Sequence, residues 1–184
     1  MSEFSARLLE RAEAEGLVDV AYATLDTPIG TVVVAATPRG LVRVGLPNHD
    51  PEKVVASLAD GISPRVLEHP GRLDEARREL EEYFEGKRRR FDLPLDWRLS
   101  HPGFYRRVLR ATAKVPFGRV ITYRDAATRA GSPQAVRAAG TAVGSNPIPI
   151  VVPCHRVIRS DGGVGNYGGG PEMKRFLLEL ERAI

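Results

Sequence analysis

The single cysteine of the chain, Cys154, is followed directly by His155 and Arg156. Cysteine reacts as the thiolate, and a neighbouring base or cation lowers the free energy needed to form that anion. Because consecutive side chains of an extended chain point to opposite sides, we expect a bridging water to carry the proton between Cys154 and His155. These residues together could form an activated nucleophile.

A carboxylate that holds the imidazole would complete such a proton relay. The last predicted helix offers three candidates, Glu172, Glu179 and Glu181. A lone cysteine excludes an internal disulfide framework and a cysteine-rich zinc site. Two interpretations of Cys154 stay open from these residues alone, a buried small apolar side chain and a nucleophile.

The elements on either side of Cys154 must position it. Three prolines in 146–153 remove amide donors and fix φ, so this stretch predicts a buried, extended segment that delivers Cys154 at a kink. Six glycines in 159–170 predict a tightly turning loop. A final helix follows, and its predicted buried stripe is Met173, Phe176, Leu177 and Leu180.

Two short helices joined by a glycine turn are predicted upstream, after a helix over 102–114. Thr122 is placed to cap the first over 123–130, and Ser132 is placed to cap the second, with Pro133 at its first position. The pair has the form of a helix-turn-helix. Tandem helices of this kind also occur in helical proteins that bind no DNA.

The first half predicts a small antiparallel sheet with helices. β-Branched residues between turns indicate strands, and helical spacing of apolar residues indicates helices. The predicted strands span 19–25, 31–36 and 41–46, and the predicted helices span 5–15, 51–59 and 72–85. The basic run 87–90 is predicted to be a solvated loop, and 91–97 a strand or a linker. We therefore predict two domains, 1–97 and 98–184.

Charge is distributed unevenly between the halves. Residues 1–100 hold 14 Lys and Arg against 18 Asp and Glu, whereas residues 101–184 hold 13 against 5. The basic second half suggests a polyanionic partner, and a basic face that merely aids solubility is the alternative. The negative net charge of the first half argues against a direct DNA surface there.

Composition is ordinary for a globular protein, with 42% apolar and 27% charged residues. The sequence predicts no membrane helix and no signal peptide, so we expect a cytoplasmic protein whose thiol stays reduced. His49, His69 and His101 are scattered, and we interpret them as surface residues rather than metal ligands.

Several ordered blocks of residues carry a family resemblance. They are 115–118, 121–123, 135–140, 146–147, 153–157 and 165–169. The block 153–157, Pro-Cys-His-Arg-Val, resembles the acceptor-site signature of the O6-alkylguanine-DNA alkyltransferases, or methylated-DNA–protein-cysteine methyltransferases. The resemblance covers about residues 100–182 in the family's order, and the first half matches more loosely at 27–30 and 40–41.

The resemblance implies a mixed α/β fold, with a small ribonuclease-H-like N-terminal domain and a mainly helical C-terminal domain that holds the helix-turn-helix. It implies irreversible, single-turnover transfer of an alkyl group from O6-alkylguanine, or from O4-alkylthymine, in duplex DNA to Cys154. No cofactor and no metal are implied. The implied partner is double-stranded DNA, bound by a monomer, with cooperative binding along DNA left open.

The resemblance also implies roles for single residues at the acceptor site. Cys154 is the acceptor, His155 the water-mediated base and Glu181 the carboxylate that orients it. Asn146 bonds near the active-site loop, and the hydroxyl of Tyr167 donates to the guanine. The pocket that frames the guanine is implied to include Val157, Gly168 and Pro149.

For DNA binding, the resemblance implies that Tyr123 pushes the phosphate of the target nucleotide while Arg137 fills the gap that the flipped base leaves. Small residues let the helix approach the minor groove closely. The implied contact set is completed by Ser132, Ala135, Ala138 and Gly140.

The sequence departs from the family at a few positions. Some relatives have Ser at position 168 and a basic residue just before the Asn-Pro pair, where this chain has Gly168 and Gly144-Ser145. Three other functions fit part of these features: a lesion-binding module without transfer, a regulator that signals once alkylated, and a cysteine hydrolase. Cys154 argues against the first, the chain length against the second, and the helix-turn-helix against the third.

Overall fold

The computed structural model describes residue 7, residues 11–12 and residues 14–184. The helix predicted at 5–15, with Leu8 and Leu9 inward, lies for the most part outside these residues. No helix within the described ranges is long and apolar enough to cross a membrane.

The first half forms a four-stranded sheet in the order β3-β2-β1-β4. Strands β1 (Val20–Thr27), β2 (Gly30–Thr37) and β3 (Gly40–Gly45) form the predicted antiparallel meander. The short strand β4 (Val66–Glu68), which the sequence pattern did not indicate, joins β1 in parallel. The meander is therefore confirmed, and β3 lies at one edge of the sheet.

One helix covers each face of this sheet. Helix α1 (Pro51–Gly61) places Leu58 among apolar residues of one face, such as Ala35. Helix α2 (Asp74–Phe84) places Leu80 and Tyr83 in the larger cluster on the other face. Because a helix packs against each side of the sheet, both of its faces are apolar.

The segment after α2 is a linker rather than a strand. Its one ladder contact within the described chain is a bridge between Leu95 and Leu41 of β3. Gly40 makes this approach possible, because its φ of +129° favours glycine and an added Cβ would lie 2.2 Å from the carbonyl oxygen of Pro94. The linker is thus fastened along the edge of the sheet.

The basic run before the linker is solvated, with one exception. Arg88 is partly buried and forms ion pairs with Glu79 and Glu82, so the prediction of a solvated loop is wrong for this residue. Those carboxylates lie on the preceding helix and draw its guanidinium back onto the protein.

The second half is mainly helical. Helices α3 (Phe104–Thr112), α4 (Tyr123–Arg129) and α5 (Val136–Gly144) pack together, and helix α6 (Gly170–Leu180) closes the chain. Two parallel two-residue strands, β5 (Ile121–Thr122) and β6 (Val157–Ile158), join the start of α4 to the segment after Cys154. Small buried residues let the helices approach closely, namely Ala126, Ala127, Ala130, Ala139 and Ala142.

The helix-turn-helix differs from its prediction at the second helix. The capping box of Thr122 with Asp125 starts α4 as predicted. The second helix begins at Val136, however, and Ser132 does not cap it. The carbonyl of Ser132 accepts from the amide of Ala135, because the chain needs a turn after Gly131 before it can enter the helix.

Helix α6 buries a stripe that agrees only in part with the expected one: Leu177 is buried as predicted, and Met173 and Leu180 are partly buried against the core. Phe176 is 38% exposed, whereas Lys174, Leu177 and Leu178 are fully buried. Glu181, just after the helix, continues this stripe at the spacing of three, four and seven residues that one helix face requires. Because Lys174 and Glu181 are charged, a search for apolar residues at helical spacing does not find this stripe.

The core does not stop at the boundary between the halves. Residues of the sheet such as Val34 and Val44 share one cluster with Ile148, Ile150 and Leu177 of the second half. The amide of Val44 also donates to the carbonyl of Pro147 at 2.9 Å. The edge strand β3 therefore contacts the segment that leads to Cys154.

Candidate functional site

The segment before Cys154 is a tight buried loop. The side chain of Asn146 spans it, donating from Nδ2 to the carbonyl of Val152 at 2.8 Å and accepting from the amide of Ile148 at 3.1 Å. Ile150 adopts a φ of +74°, which costs about 1–2 kcal/mol for a residue with a side chain. The predicted burial is present, but the chain turns where we expected it to be extended.

Cys154, His155 and Arg156 form a single 3₁₀ turn at the end of this loop, and all three are buried. The amide of Cys154 donates to the carbonyl of Val152 at 2.7 Å. Cys154 packs with Val108, Ala139 and Val157 in the core of the helical half. The turn thus fixes the thiol against a rigid helical layer.

Glu181 is the carboxylate that meets His155, and their side chains contact at 2.7 Å between Oε1 and Nε2. Arg156 donates to both oxygens of the same carboxylate, at 2.8 and 2.9 Å. Tyr83 from α2 donates its hydroxyl to Oε1 at 2.7 Å, and the amide of Gly118 donates to Oε2 at 3.3 Å. One buried carboxylate therefore joins the 3₁₀ turn to the first half of the chain.

The charge of Glu181 follows from these contacts. Burial alone would raise the pKa of Glu181, but the hydrogen bonds and charges of His155 and Arg156 outweigh it and lower the pKa to about 2. The group is a carboxylate at neutral pH. The other two candidates, Glu172 and Glu179, are exposed.

The state of His155 can be assigned from its surroundings. Burial is the largest influence and lowers the pKa of His155, although Glu181 opposes it, so the imidazole is neutral at neutral pH. A carboxylate can only accept, so Nε2 carries the proton that it donates to Glu181. Nδ1 is then the unprotonated nitrogen, and it is buried with no hydrogen-bond partner among the described residues.

Cys154 rests as a thiol, because its surroundings on balance raise its pKa. Burial raises the pKa of Cys154, while a hydrogen bond with Asn146 and the charge of Lys174 act in the opposite direction. Lys174 donates from Nζ to the carbonyl of Val157 at 2.5 Å, and burial lowers its pKa to about 8. Sequence reasoning missed Lys174, although its spacing from Leu177, Leu178 and Glu181 could have revealed it.

Cys154 opens onto a cavity of about 270 Å³. Tyr167 also lines it, and its hydroxyl is buried without a partner in the part of the chain that the structure describes. Burial raises the pKa of Tyr167 well above its ordinary value, so the hydroxyl keeps its proton and can donate it. The other lining residues are Arg43, Val44, Leu46, His49, Val143, Gly144, Ser145, Asn146, Pro149 and Gly168.

The cavity brings together most of the predicted acceptor-site residues. Pro149 and Gly168 lie in its wall as expected, whereas Val157 is buried in the helical core and is not among the lining residues. No site role was predicted for the lining residues of the first half, such as Arg43 and His49. A larger cavity of about 680 Å³ lies beside the linker, and its lining includes Phe117 and Arg156 but no Cys, Ser or Thr among the described residues.

The residues predicted for the helix-turn-helix surface lie on α5 and beside it. The side chain of Arg137 is exposed, with no hydrogen bond or ion pair to any described residue. Ala135, Ala138 and Gly140 are partly exposed on this helix surface, and Ser132 is partly buried in the turn before it. Gly144 at the end of α5 lines the cavity, so Arg137 lies about 10 Å from the cavity along the helix axis.

Tyr123 lies at the start of α4, partly buried. Lys174 lies 5.8 Å from the centre of its ring, and a Cβ on Gly165 would approach its hydroxyl to 3.0 Å. The side chain thus links the helix-turn-helix to the glycine-rich loop. Within the described ranges, no group of His, Cys, Asp or Glu is arranged to hold a metal ion.

Comparison with known proteins gives a consistent result over both halves. Residues 103–183 match the family model of the 6-O-methylguanine DNA methyltransferase DNA binding domain, and residues 20–97 match that of its ribonuclease-like domain. The chain is 40% identical over 176 residues to a methylated-DNA–protein-cysteine methyltransferase of Rattus norvegicus, covering 87% of this chain and 81% of that protein.

A methylated-DNA–protein-cysteine methyltransferase of Methanosarcina barkeri is 38% identical over 162 residues, which cover 87% of this chain and 96% of the relative. Among solved structures, the Mycobacterium tuberculosis OGT in complex with DNA aligns with a TM-score of 0.77 and 36% identity, covering 89% of this chain and 93% of that chain. The expected mixed α/β fold with a ribonuclease-like and a DNA-binding part is confirmed. The chain belongs to the 6-O-methylguanine DNA methyltransferase family.

Proposed function

We propose that this protein repairs DNA by transferring the alkyl group of O6-alkylguanine to the sulfur of Cys154, in one irreversible step. The observation that carries the proposal is the arrangement at the cavity. Cys154 opens onto it directly before a neutral His155, whose Nε2 is held by the buried carboxylate of Glu181. Relatives named methylated-DNA–protein-cysteine methyltransferase support the same reaction.

The transfer step balances without a cofactor. The proton of Cys154 passes through a water to Nδ1 of His155 as Sγ attacks the alkyl carbon. The bond between that carbon and O6 breaks, and its electron pair stays on the guanine. The guanine anion takes up a proton from water, His155 returns the thiol proton to water, and the hydroxyl of Tyr167 stabilises the negative charge that develops on the guanine with a hydrogen bond. The products are guanine and a thioether on Cys154.

Access to the cavity requires the target base to leave the duplex, because Cys154 is 5% exposed and an alkyl group inside a stacked helix cannot reach it. We assign Arg137 on α5 to the gap in the stack, and Tyr123 to the phosphate of the rotating nucleotide. Ala135, Ala138, Gly140 and Ser132 are assigned to the surface that enters the minor groove. Asn146, Pro149 and Gly168, which line the cavity, are assigned to the frame around the guanine.

The remaining expectations belong to the same proposal. We propose double-stranded DNA as the partner, a monomer as the acting species, cooperative binding along DNA as a property to measure, and the cytoplasm as the location. The OGT–DNA complex of the relative supports DNA as the partner. We also keep residues 1–97 and 98–184 as the proposed domain division.

The decisive experiment measures the mass of the intact protein after incubation with a duplex that carries one O6-methylguanine. We expect the mass of one methylene to be gained on Cys154, with the reaction stopping at one equivalent. Cys154→Ser should gain no mass and keep its affinity for the duplex. An unmodified wild-type mass with tight, lesion-selective binding would instead indicate a lesion-binding module.

A further inference from the structure

The cavity wall opposite the helical half comes from β3 and the loop that follows it. The amide of Val44 bonds to Pro147 at 2.9 Å, and the side chain of Asn48 donates to the carbonyl of Gly168 at 2.8 Å. A Cβ on Gly168 would lie 3.6 Å from Leu46. The first half is therefore joined to both sides of the cavity and forms part of it.

This wall carries a guanidinium that nothing in the described chain neutralises. Arg43 lines the cavity, its Nε is buried, and no hydrogen bond or ion pair reaches its side chain from the described residues. Burial lowers the pKa of Arg43. Because Arg43 is partly buried, its unpaired guanidinium loses part of its hydration, and an anion that binds beside it would offset that loss.

The position of Arg43 is at the mouth of the cavity. Its side chain is only partly buried, and it shares the cavity lining with the exposed side chain of His49. His49, Gly144 and Ser145 are all exposed and mark the opening. Arg43 is the one permanent cation among the described residues that line this cavity.

A nucleotide that enters the cavity leaves its phosphates at this opening, because the sugar-phosphate chain must continue to the duplex outside. Neither Gly144 nor Ser145 offers a charge to them. Arginine binds phosphate oxygens through parallel N–H donors. We infer that Arg43, from the first half of the chain, binds a backbone phosphate of the extruded nucleotide at the mouth of the cavity, an inference that rests on the proposed function.

The first test measures binding and does not depend on alkyl transfer. In the Cys154→Ser background, the affinities for a duplex with one O6-methylguanine and for the same undamaged duplex are compared between Arg43→Gln and its parent. The matched control is Arg39→Gln, which removes an exposed arginine from the turn before β3. We expect Arg43→Gln to bind the lesion duplex about tenfold more weakly.

The salt dependence of lesion binding should decrease by about 0.9 in the slope of log K against log salt, since one phosphate contact is lost. Affinity for the undamaged duplex should change no more than in Arg39→Gln. An equal loss on both duplexes, or a loss no greater than that of the control, would overturn the inference.

The second test separates a phosphate contact from an effect on the thiol or the base. Arg43→Gln with Cys154 intact should react about tenfold more slowly with the lesion duplex and at the parental rate with free O6-benzylguanine, which has no phosphate. Equal slowing of both substrates would also overturn the inference. Arg43→Lys, which retains the charge, should recover most of the duplex reaction.

The outcomes distinguish this inference from the proposed function. Failure of the wild type to gain a methyl group contradicts the proposed transfer, whereas the binding ratio in the Cys154→Ser background reports on Arg43 in either case. Because Arg43→Gln removes an unpaired charge, its melting temperature should not fall. If that variant does not fold, Arg43→Met supplies the same binding comparison.

Discussion

At the scale of single residues, the geometry of the site depends on the carboxylate of Glu181. Its carboxylate accepts hydrogen bonds from the side chains of His155, Arg156 and Tyr83. In the proposed transfer, its charge would stabilise the imidazolium that forms when His155 takes the thiol proton. Arg156 supplies the compensation that keeps a buried carboxylate charged.

Glu181→Gln should slow methyl transfer roughly 10–100-fold, because the amide keeps the shape of the group and loses the charge that supports His155. Single-turnover rates with a lesion duplex measure this, at a temperature where the variant is folded. Glu179→Gln, at an exposed position on the same helix, is the control. A rate for Glu181→Gln equal to that of the control would contradict the role of Glu181.

The same carboxylate makes stability depend on acid pH. The pKa of Glu181 in the folded protein, about 2, is below its ordinary value of 4.5, so its contribution is fully present above pH 4.5 and is lost as the pH falls towards 2. We expect the wild type to lose more unfolding free energy across this window than Glu181→Gln. Urea unfolding at several pH values measures the difference, and parallel curves would count against it.

At the scale of elements, the turn between α4 and α5 presents Arg137 on a helix of small residues. If Arg137 fills the gap in the stack as proposed, Arg137→Ala should slow repair in a duplex by about tenfold or more and leave the reaction with free O6-benzylguanine unchanged. The ratio of the two single-turnover rates is the measurement. Equal slowing of both reactions would remove Arg137 from the base-flipping step.

The strands and helices also show which features can be predicted from the sequence and which cannot. β-Branched runs between turns predicted three strands, and Thr122 with Asp125 predicted the start of α4, because these signals are local. The start of α5 was misplaced because Ser132 resembles a cap and instead closes a turn. Lys174 was missed because a charged residue is expected to face solvent.

The position of Arg43 at the cavity could not be predicted from the sequence, for a different reason. The negative net charge of the first half argued against a DNA surface, but a sum over 100 residues says nothing about one arginine at the mouth of a cavity. Its position depends on the contact between the edge strand β3 and the segment 146–149, which are far apart in the sequence. A contact between segments that are far apart in the sequence produces no periodic pattern of residues from which it could be predicted.

At the scale of the whole molecule, the linker between the two halves fits closely against the edge of the sheet at Gly40. Gly40→Ala should reduce the free energy of unfolding by about 3 kcal/mol or more, because its Cβ would lie 2.2 Å from the carbonyl oxygen of Pro94 in a backbone that disfavours alanine. Urea unfolding measures the loss.

Gly86→Ala is the matched control for this prediction. Gly86 also has a positive φ, +73°, but an added Cβ would have no neighbour within 4 Å. Its substitution should cost only the backbone strain, about 1–2 kcal/mol. If the two variants lose the same stability, the contact at Pro94 does not hold the linker.

The position of Glu181 along the chain has a consequence for synthesis. A ribosome makes the acceptor cysteine first, and the carboxylate that aligns His155 follows 26 residues after that histidine. Until then the nascent chain carries a thiol whose relay is incomplete, and Arg156 has no acid to neutralise it. We expect the growing chain to remain unreactive towards alkylated guanine and to become able to accept the alkyl group only when α6 folds against the site.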